Sequence, residues 1–448
     1  MAIPPPPDKV LGVMILTRHG DREGFYQDPL TYTPSFTTIT PLGTVQLFQL
    51  GQQLRSMYLD PVSSLVIADV NSDLVDQTQL HVRADSGGEG GVIYDSTVAL
   101  LQGLFPANPN FNTTLASGQL VQGALGGYQY VPIQTVDPSN EVSLEGWTNC
   151  ATFDAATQAF YNSPEFLQKA NESAHFLSLL PPFLDGRPAT LVSMWNVYDF
   201  MAVNGVHNAS FAERLPPTFL EQARDLANFH QRGVFTSPQL DGIGNITGRT
   251  ILPGILQDLQ AIADPKNPLK IAYQSISYKP FLSIFNMTGA AEQNPGLSNI
   301  VNFAAAALLE VRQPASGGPP VLRLKFKNGT DEAEFTTYDF LGRTGDVSLG
   351  DVIDSVNPAL INSTAAWCAV CENTKDRGCA ALASHVAKRD AGLADSAGVL
   401  NLKSKQFMEN GFLGVGLTMS VNLALFGILM FFGFISVGKG RHSRAGSN

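Results

Sequence analysis

The sequence predicts an α/β fold: a mostly parallel sheet flanked by helices, with an inserted, mainly α-helical cap and a C-terminal transmembrane helix. Three observations carry this reading. Short apolar runs alternate with amphipathic helices early in the chain and again near its later third; the stretch between them reads as helices joined by prolines; and Gly411 to Gly438 contains no charged residue. Strands alternating with helices imply a parallel sheet whose ligands gather at the carboxyl ends of the strands. Residues 8–110 and 266–375 are accordingly assigned to the core and 111–265 to the cap insertion. A polar stalk (380–410), a transmembrane helix (411–438) and a short basic tail (439–448) complete the chain.

Lys9 to Leu16, KVLGVMIL, is a buried strand, rich in Val, Ile and Leu and too short for a helix of its own. TPLGTVQLFQLGQQLRSMYL follows as an amphipathic helix, with Thr40 as N-cap, Pro41 at the first helical position and an apolar stripe of Leu47, Leu50, Leu54 and Met57. QLHVRAD (79–85) is a second strand, after which Asp95 is placed as the cap of a helix, STVALLQGLF. LKIAYQSI (269–276) supplies a third strand. Between the last two, segments such as TFLEQARDLANFH are helical, and Pro216, Pro217, Pro238, Pro253 and Pro265 mark expected breaks.

The 411–438 run is long enough to cross a hydrocarbon core of about 30 Å as a helix, and it is apolar on every face. This predicts a single-pass protein held in a lipid bilayer. Asn112, Asn171, Asn208, Asn245, Asn286, Asn328 and Asn362 each begin an N-x-S/T sequon, as glycan acceptors of a lumenal or extracellular domain would. The four cysteines, Cys150, Cys368, Cys371 and Cys379, favour two disulfides of open pairing over a zinc site, which would lack a fourth ligand at motif spacing. No signal peptide is visible in MAIPPPPDKVLGVMILTRHG, so the lumenal reading expects a leader upstream of the given start.

With a formal charge of −11 and no run of Lys or Arg, nucleic acid is excluded as a partner. Any anion site must be built locally. The motif LTRHGDREGF does so, because Arg18, His19 and Arg22 set two guanidinium forks around one imidazole at the mouth of the first strand. Arginine matches phosphate oxygens bidentately and stays charged, while a neutral imidazole nitrogen can attack phosphorus. SGGEGG (86–91) lacks the spacing of a P-loop, His81 shares the strand face of Arg83 and is read as core or rim packing over a replacement catalytic role, and His175, His207, His230, His385 and His442 show no ligand spacing with one another, so neither a metal nor another cofactor is indicated.

RHGDR, followed by TPLGTVQLFQLGQQLRSMY and by VRAD…STVALLQGLFP, resembles the histidine acid phosphatase family. The resemblance implies that His19 is a nucleophile forming a phosphohistidine and that Arg18, Arg22 and Arg83 hold the phosphate of a phosphomonoester. It also implies an α/β core with a helical cap. The family carries a His-Asp motif after a late strand, whose acid protonates the leaving alcohol. Here that place reads IAYQSISYKPFLSIF, and residues 271–285 contain no His, Asp or Glu. Ser277 and Tyr278 stand at the two positions with Lys279 next, as possible replacement donors or phosphate contacts. A positioned general acid contributes about 10²–10⁴-fold. The expectation is therefore a slow or restricted phosphatase, with a catalytically inactive phosphate-binding protein as the alternative. Of the neighbouring acids, Asp21, Glu23 and Glu89, sequence alone selects none.

Overall fold

The computed structural model describes residues 8–87, 89 and 91–383, all within one compact unit. The predicted transmembrane helix 411–438, the tail and nearly all of the stalk lie outside the described residues. Among the described residues, no helix is long and apolar enough to cross a membrane.

The first strand, β1 (Lys9–Arg18), lies at the centre of the main sheet. Its apolar run serves both faces, as alternation requires: Val13 and Ile15 join one core and Met14 and Leu16 the other. Helix α1 (Pro41–Tyr58) is capped as expected, with Thr40 Oγ1 accepting from Gly43 N at 3.1 Å. Strand β2 (Leu80–Asp85) leads to α2 (Val92–Leu104). Asp95 is not the cap of α2 but sits in its first turn, since the helix begins at Val92 behind Gly91. The two helices cross backbone to backbone, because a Cβ on Gly51 would stand 2.1 Å from Leu100 O and one on Gly103 2.1 Å from Phe48 O.

Strands β3 (Asn112–Thr114) and β4 (Leu120–Gln122) form a separate hairpin, and β5 (Gln134–Val136) joins β2 at the edge of the main sheet. Seven helices then run from Ala151 to Ala263 before β6 (Ile271–Ile276). Pro253 does not break this run. It lies inside the helix Ile246–Ala263, and the carbonyl that its missing N–H would have bonded, Arg249 O, accepts from Ile361 N at 2.9 Å instead. The remaining strands are β7 (Ala306–Gln313), β8 (Val321–Lys327), β9 (Thr336–Tyr338) and β10 (Val347–Ser348).

The strand order is β10-β8-β7-β1-β6-β2-β5, with β9 paired to β8. The expected parallel pairing holds from β1 through β6 and β2 to β5. From β7 outward the pairs are antiparallel. The β7–β8 pair is a hairpin at PASGGPP, where Gly317 and Gly318 take positive φ and return the chain without a crossover helix.

Both disulfides are formed, Cys150–Cys371 and Cys368–Cys379. Among the sequons, Asn112, Asn171, Asn208 and Asn362 are exposed. Asn245 is fully buried, and its Nδ2 donates to the carbonyls of Ser237, Gln239 and Leu240. Asn286 Nδ2 donates to Ser237 O and Asn245 Oδ1. These two side chains are consumed by the fold and are not glycan acceptors in it, contrary to the sequence expectation. Asn328 is half-buried, with its Oδ1 accepting from Asn302 N.

Candidate active site

The site stands at the carboxyl ends of β1 and β6. His19 N donates to Ile276 O at 3.2 Å and His19 O accepts from Ala304 N at 3.0 Å, so the residue is clamped between β6 and the approach to β7. Gly20 is required by packing, because a Cβ there would fall 2.5 Å from Gly43 O at the start of α1.

His19 is 1% exposed. Its Nδ1 lies 2.8 Å from Gly20 O, a carbonyl that can only accept, so Nδ1 carries the proton and Nε2 faces the site. Burial pushes the imidazole below its ordinary pKa, with Arg18 and Arg22 adding to the push and Glu89 opposing it. Arg18 sets its guanidinium 4.3 Å from the Phe303 ring centroid and donates to Val301 O. Burial, then the charge of Arg22, lowers its pKa to about 10. Arg22 is held bidentately by Asp199 at 2.7 and 3.2 Å, and both partners are buried. Phe303 stands among all three groups, 5.4 Å from the His19 ring and 5.6 Å from Arg22. A cavity of about 290 Å³ opens beside them, lined by Arg18, Tyr198, Asp199, Arg224 and Phe303.

Arg83 is not part of this cluster. Its register partner is Gln274, which also faces Leu16, so Arg83 sits two residues below the level of Arg18, roughly 7 Å down the strand. Its Nη2 donates to Ser143 Oγ at 2.9 Å and lies 3.5 Å from Glu141 Oε2, in a second cavity of about 360 Å³ shared with His81. His81 pairs with Asp258 at 2.7 Å. The expected convergence of three arginines on His19 is therefore corrected to two.

The residue that β2 and its following loop bring to His19 is an acid. Glu89 is buried, with Oε2 3.4 Å from His19 Nε2 and Oε1 3.5 Å from Lys279 Nζ. Burial opposes its charge, but Lys279, His19 and Arg22 outweigh that and hold the carboxyl well below the usual range. Lys279 is itself buried over Trp147, 4.9 Å from the ring centroid; burial lowers its pKa against the pull of Glu89, Glu145 and Asp85.

Tyr278 stacks on Trp195 at 4.4 Å and donates to Gln231 Oε1 at 2.8 Å. Burial drives its hydroxyl pKa well above the ordinary value, which suits packing and not proton donation. Ser277 Oγ is buried without a partner. Asp21 accepts from Thr40 Oγ1 and from His207 Nε2, the latter at 2.7 Å, and so secures the start of α1. Asp199, Phe303 and Trp147 escaped the sequence reading, which has no local signal for a partner contributed from another element.

Asp85 and Glu145 add a buried pair beside Lys279. Burial and then the charge of Glu145 push Asp85 well above the usual carboxylate range, and burial raises Glu145 as well. A carboxyl with a raised folded pKa stabilises fully below its unfolded pKa of about 4, and that contribution is lost as pH climbs toward the folded value. Asp85→Asn retains an acceptor for Gly87 N. The variant is expected to melt higher than wild type at about pH 7.5 and to flatten the slope of Tm between about pH 5 and 7.5. An unchanged slope would refute the assignment.

The family model described as "Histidine phosphatase superfamily (branch 2)" matches residues 23–327, beginning just after Arg22. The chain is 24% identical to human lysosomal acid phosphatase over 339 residues, covering 72% of this chain and 71% of that protein. It is 24% identical to bovine prostatic acid phosphatase over 274 residues, covering 59% of this chain and 65% of that protein. Among solved structures it is similar in fold to the phytase of Klebsiella sp. ASR1, with a TM-score of 0.55 at 13% identity, covering 79% of this chain and 97% of that one. The phytase of Citrobacter braakii gives a TM-score of 0.54 at 13% identity, covering 79% and 98%.

Proposed function

We propose, from the premise that the chain belongs to branch 2 of the histidine phosphatase superfamily, that it hydrolyses phosphomonoesters through a phosphohistidine on His19. Membership supports phosphatase activity, and the curated relatives are acid phosphatases. The observation that carries the reading for this chain is the Nδ1 contact with Gly20 O, which leaves Nε2 as the nucleophilic nitrogen of a buried, neutral imidazole. Nε2 attacks phosphorus, the P–N bond forms as the P–O bond to the alcohol breaks, and the alkoxide takes its proton from a solvent water, leaving hydroxide. The hydroxide then cleaves P–N, releasing phosphate and restoring Nε2. Arg18 and Arg22 offset the charge of the transferring group.

The rate is slow or restricted, because Ser277 and Tyr278 offer no acid for the leaving oxygen. A second reading, binding without turnover, is favoured by one observation: residues 271–285 hold no His, Asp or Glu to protonate a leaving oxygen, while Arg18 and Arg22 remain beside His19 around Phe303.

One assay separates the two. The protein is incubated with an activated aryl phosphate and with an alkyl phosphate, alongside His19→Ala. Catalysis predicts that the aryl ester turns over at least 10²-fold faster than the alkyl ester, since its leaving group needs little protonation. It also predicts an acid-labile phosphoenzyme and loss of both in the variant. Stabilisation by phosphate with no turnover of either ester assigns the protein to binding alone.

We infer that the domain lies on the lumenal or extracellular side of a membrane, anchored by 411–438, with 111–265 as its cap apart from β5, which belongs to the main sheet. Two disulfides and four exposed sequons support this location.

A further inference from the structure

Glu89 is a carboxylate buried in what should be an anion site. It is 4% exposed, its two oxygens bridge the nucleophilic nitrogen and a buried ammonium, and Oε2 has no hydrogen-bond partner in good geometry. The group is thus held by the Lys279 ammonium at 3.5 Å and not by close hydrogen bonds, while its other oxygen faces the unprotonated Nε2 at 3.4 Å. A phosphoryl group within attacking reach of Nε2 has to place its atoms about 3–3.5 Å from that nitrogen, which is where the carboxylate stands. Both cannot be there together, and two anions sharing the space would repel strongly in a buried site.

We propose that Glu89 is an internal competitor of phosphate, and that Lys279, released when the carboxylate is displaced, is a phosphate-binding cation of this chain. The inference rests on the reading of His19 as the phosphoryl site and deepens it. Lys279 takes the place that sequence had assigned to Arg83, whose guanidinium is committed to Ser143 and Glu141. A ligand carrying a phosphoryl dianion replaces one carboxylate charge with two, and it inherits Lys279 together with Arg18. The remaining groups around the ammonium are Asp85, Glu145, and the rings of Trp147 and Tyr278. None of them is an alternative cation, so the role falls to Lys279 within this cluster.

The test is calorimetric titration of the protein with inorganic phosphate, which measures binding with no turnover. Glu89→Gln is expected to tighten phosphate at least ten-fold, and adding Lys279→Met to it is expected to reverse the gain. Glu89→Asp, which keeps the charge partner of Lys279 but shortens its reach, is expected to give an intermediate gain and serves if the amide variant folds poorly. Unchanged or weaker phosphate affinity in both Glu89 variants, or full affinity in the double variant, overturns the proposal. Should that happen while His19-dependent turnover of the aryl ester persists, the competitor fails and the enzymatic reading stands. Ten-fold tightening in a protein that turns over neither ester supports the competitor and removes the enzymatic reading.

Discussion

Asp199→Ala is expected to lower unfolding free energy by about 3–5 kcal/mol, among the largest single-residue effects in the molecule. Arg22 and Asp199 are 1% and 3% exposed and joined by two hydrogen bonds. Coulombic attraction barely repays the desolvation of such a pair, but removing one partner leaves an uncompensated charge in the interior. The loss therefore measures an orphaned guanidinium and not the worth of the pair. Two companion measurements separate this from simple loss of packing. Arg22→Met combined with Asp199→Ala is expected to recover most of the stability, because no charge remains buried. Inorganic phosphate is expected to raise the Tm of Asp199→Ala more than that of wild type, since the freed Arg22 then seeks an anion. A single variant that unfolds within about 1 kcal/mol of wild type would show that the pair carries no such burden.

Removal of the Cys150–Cys371 bridge by paired serine substitutions is expected to cost about 5 kcal/mol, against about 3 kcal/mol for Cys368–Cys379, from the loop-entropy relation. The first closes a loop of 221 residues and the second one of 11. Both Cys150 and Cys371 are fully buried, at the join between the helix Ala151–Tyr161 and the last described helices, so the longer bridge also shields its sulfurs from reductant. Denaturant unfolding of the two double variants compares them directly. Equal losses, or a larger loss for the short loop, would show that loop entropy does not govern here.

Much of the core was legible because its signals are local. The apolar run of β1, the Thr40–Pro41 start of α1 and the short β2 and β6 runs each depend on a few adjacent residues. The antiparallel half was missed although VLRLKFK alternates cleanly and buries Leu322, Leu324 and Phe326; an expectation of alternating strands and helices left no place for it. Pro253 misled because a helix interior tolerates proline when another segment takes up the freed carbonyl, which no nearby residue announces. The site divides in the same way. Arg18, His19 and Arg22 share one turn of chain and were readable. Arg83 was misplaced because the height of a residue in a strand depends on register with strands far away in sequence. Glu89 was visible as an acid, but only its approach to His19 and Lys279 gives it meaning.

The central position of β1 has a consequence for biosynthesis. Of the strands of the main sheet this one is made first, yet its partners β6 and β7 lie about 250 and 290 residues later. At about 5–20 residues per second, an apolar segment with two open edges waits for tens of seconds before either neighbour leaves the ribosome. Nascent chains arrested before β6 should accordingly be chaperone-bound and protease-sensitive, and the surroundings of His19 are complete only once the chain has been made past Phe303.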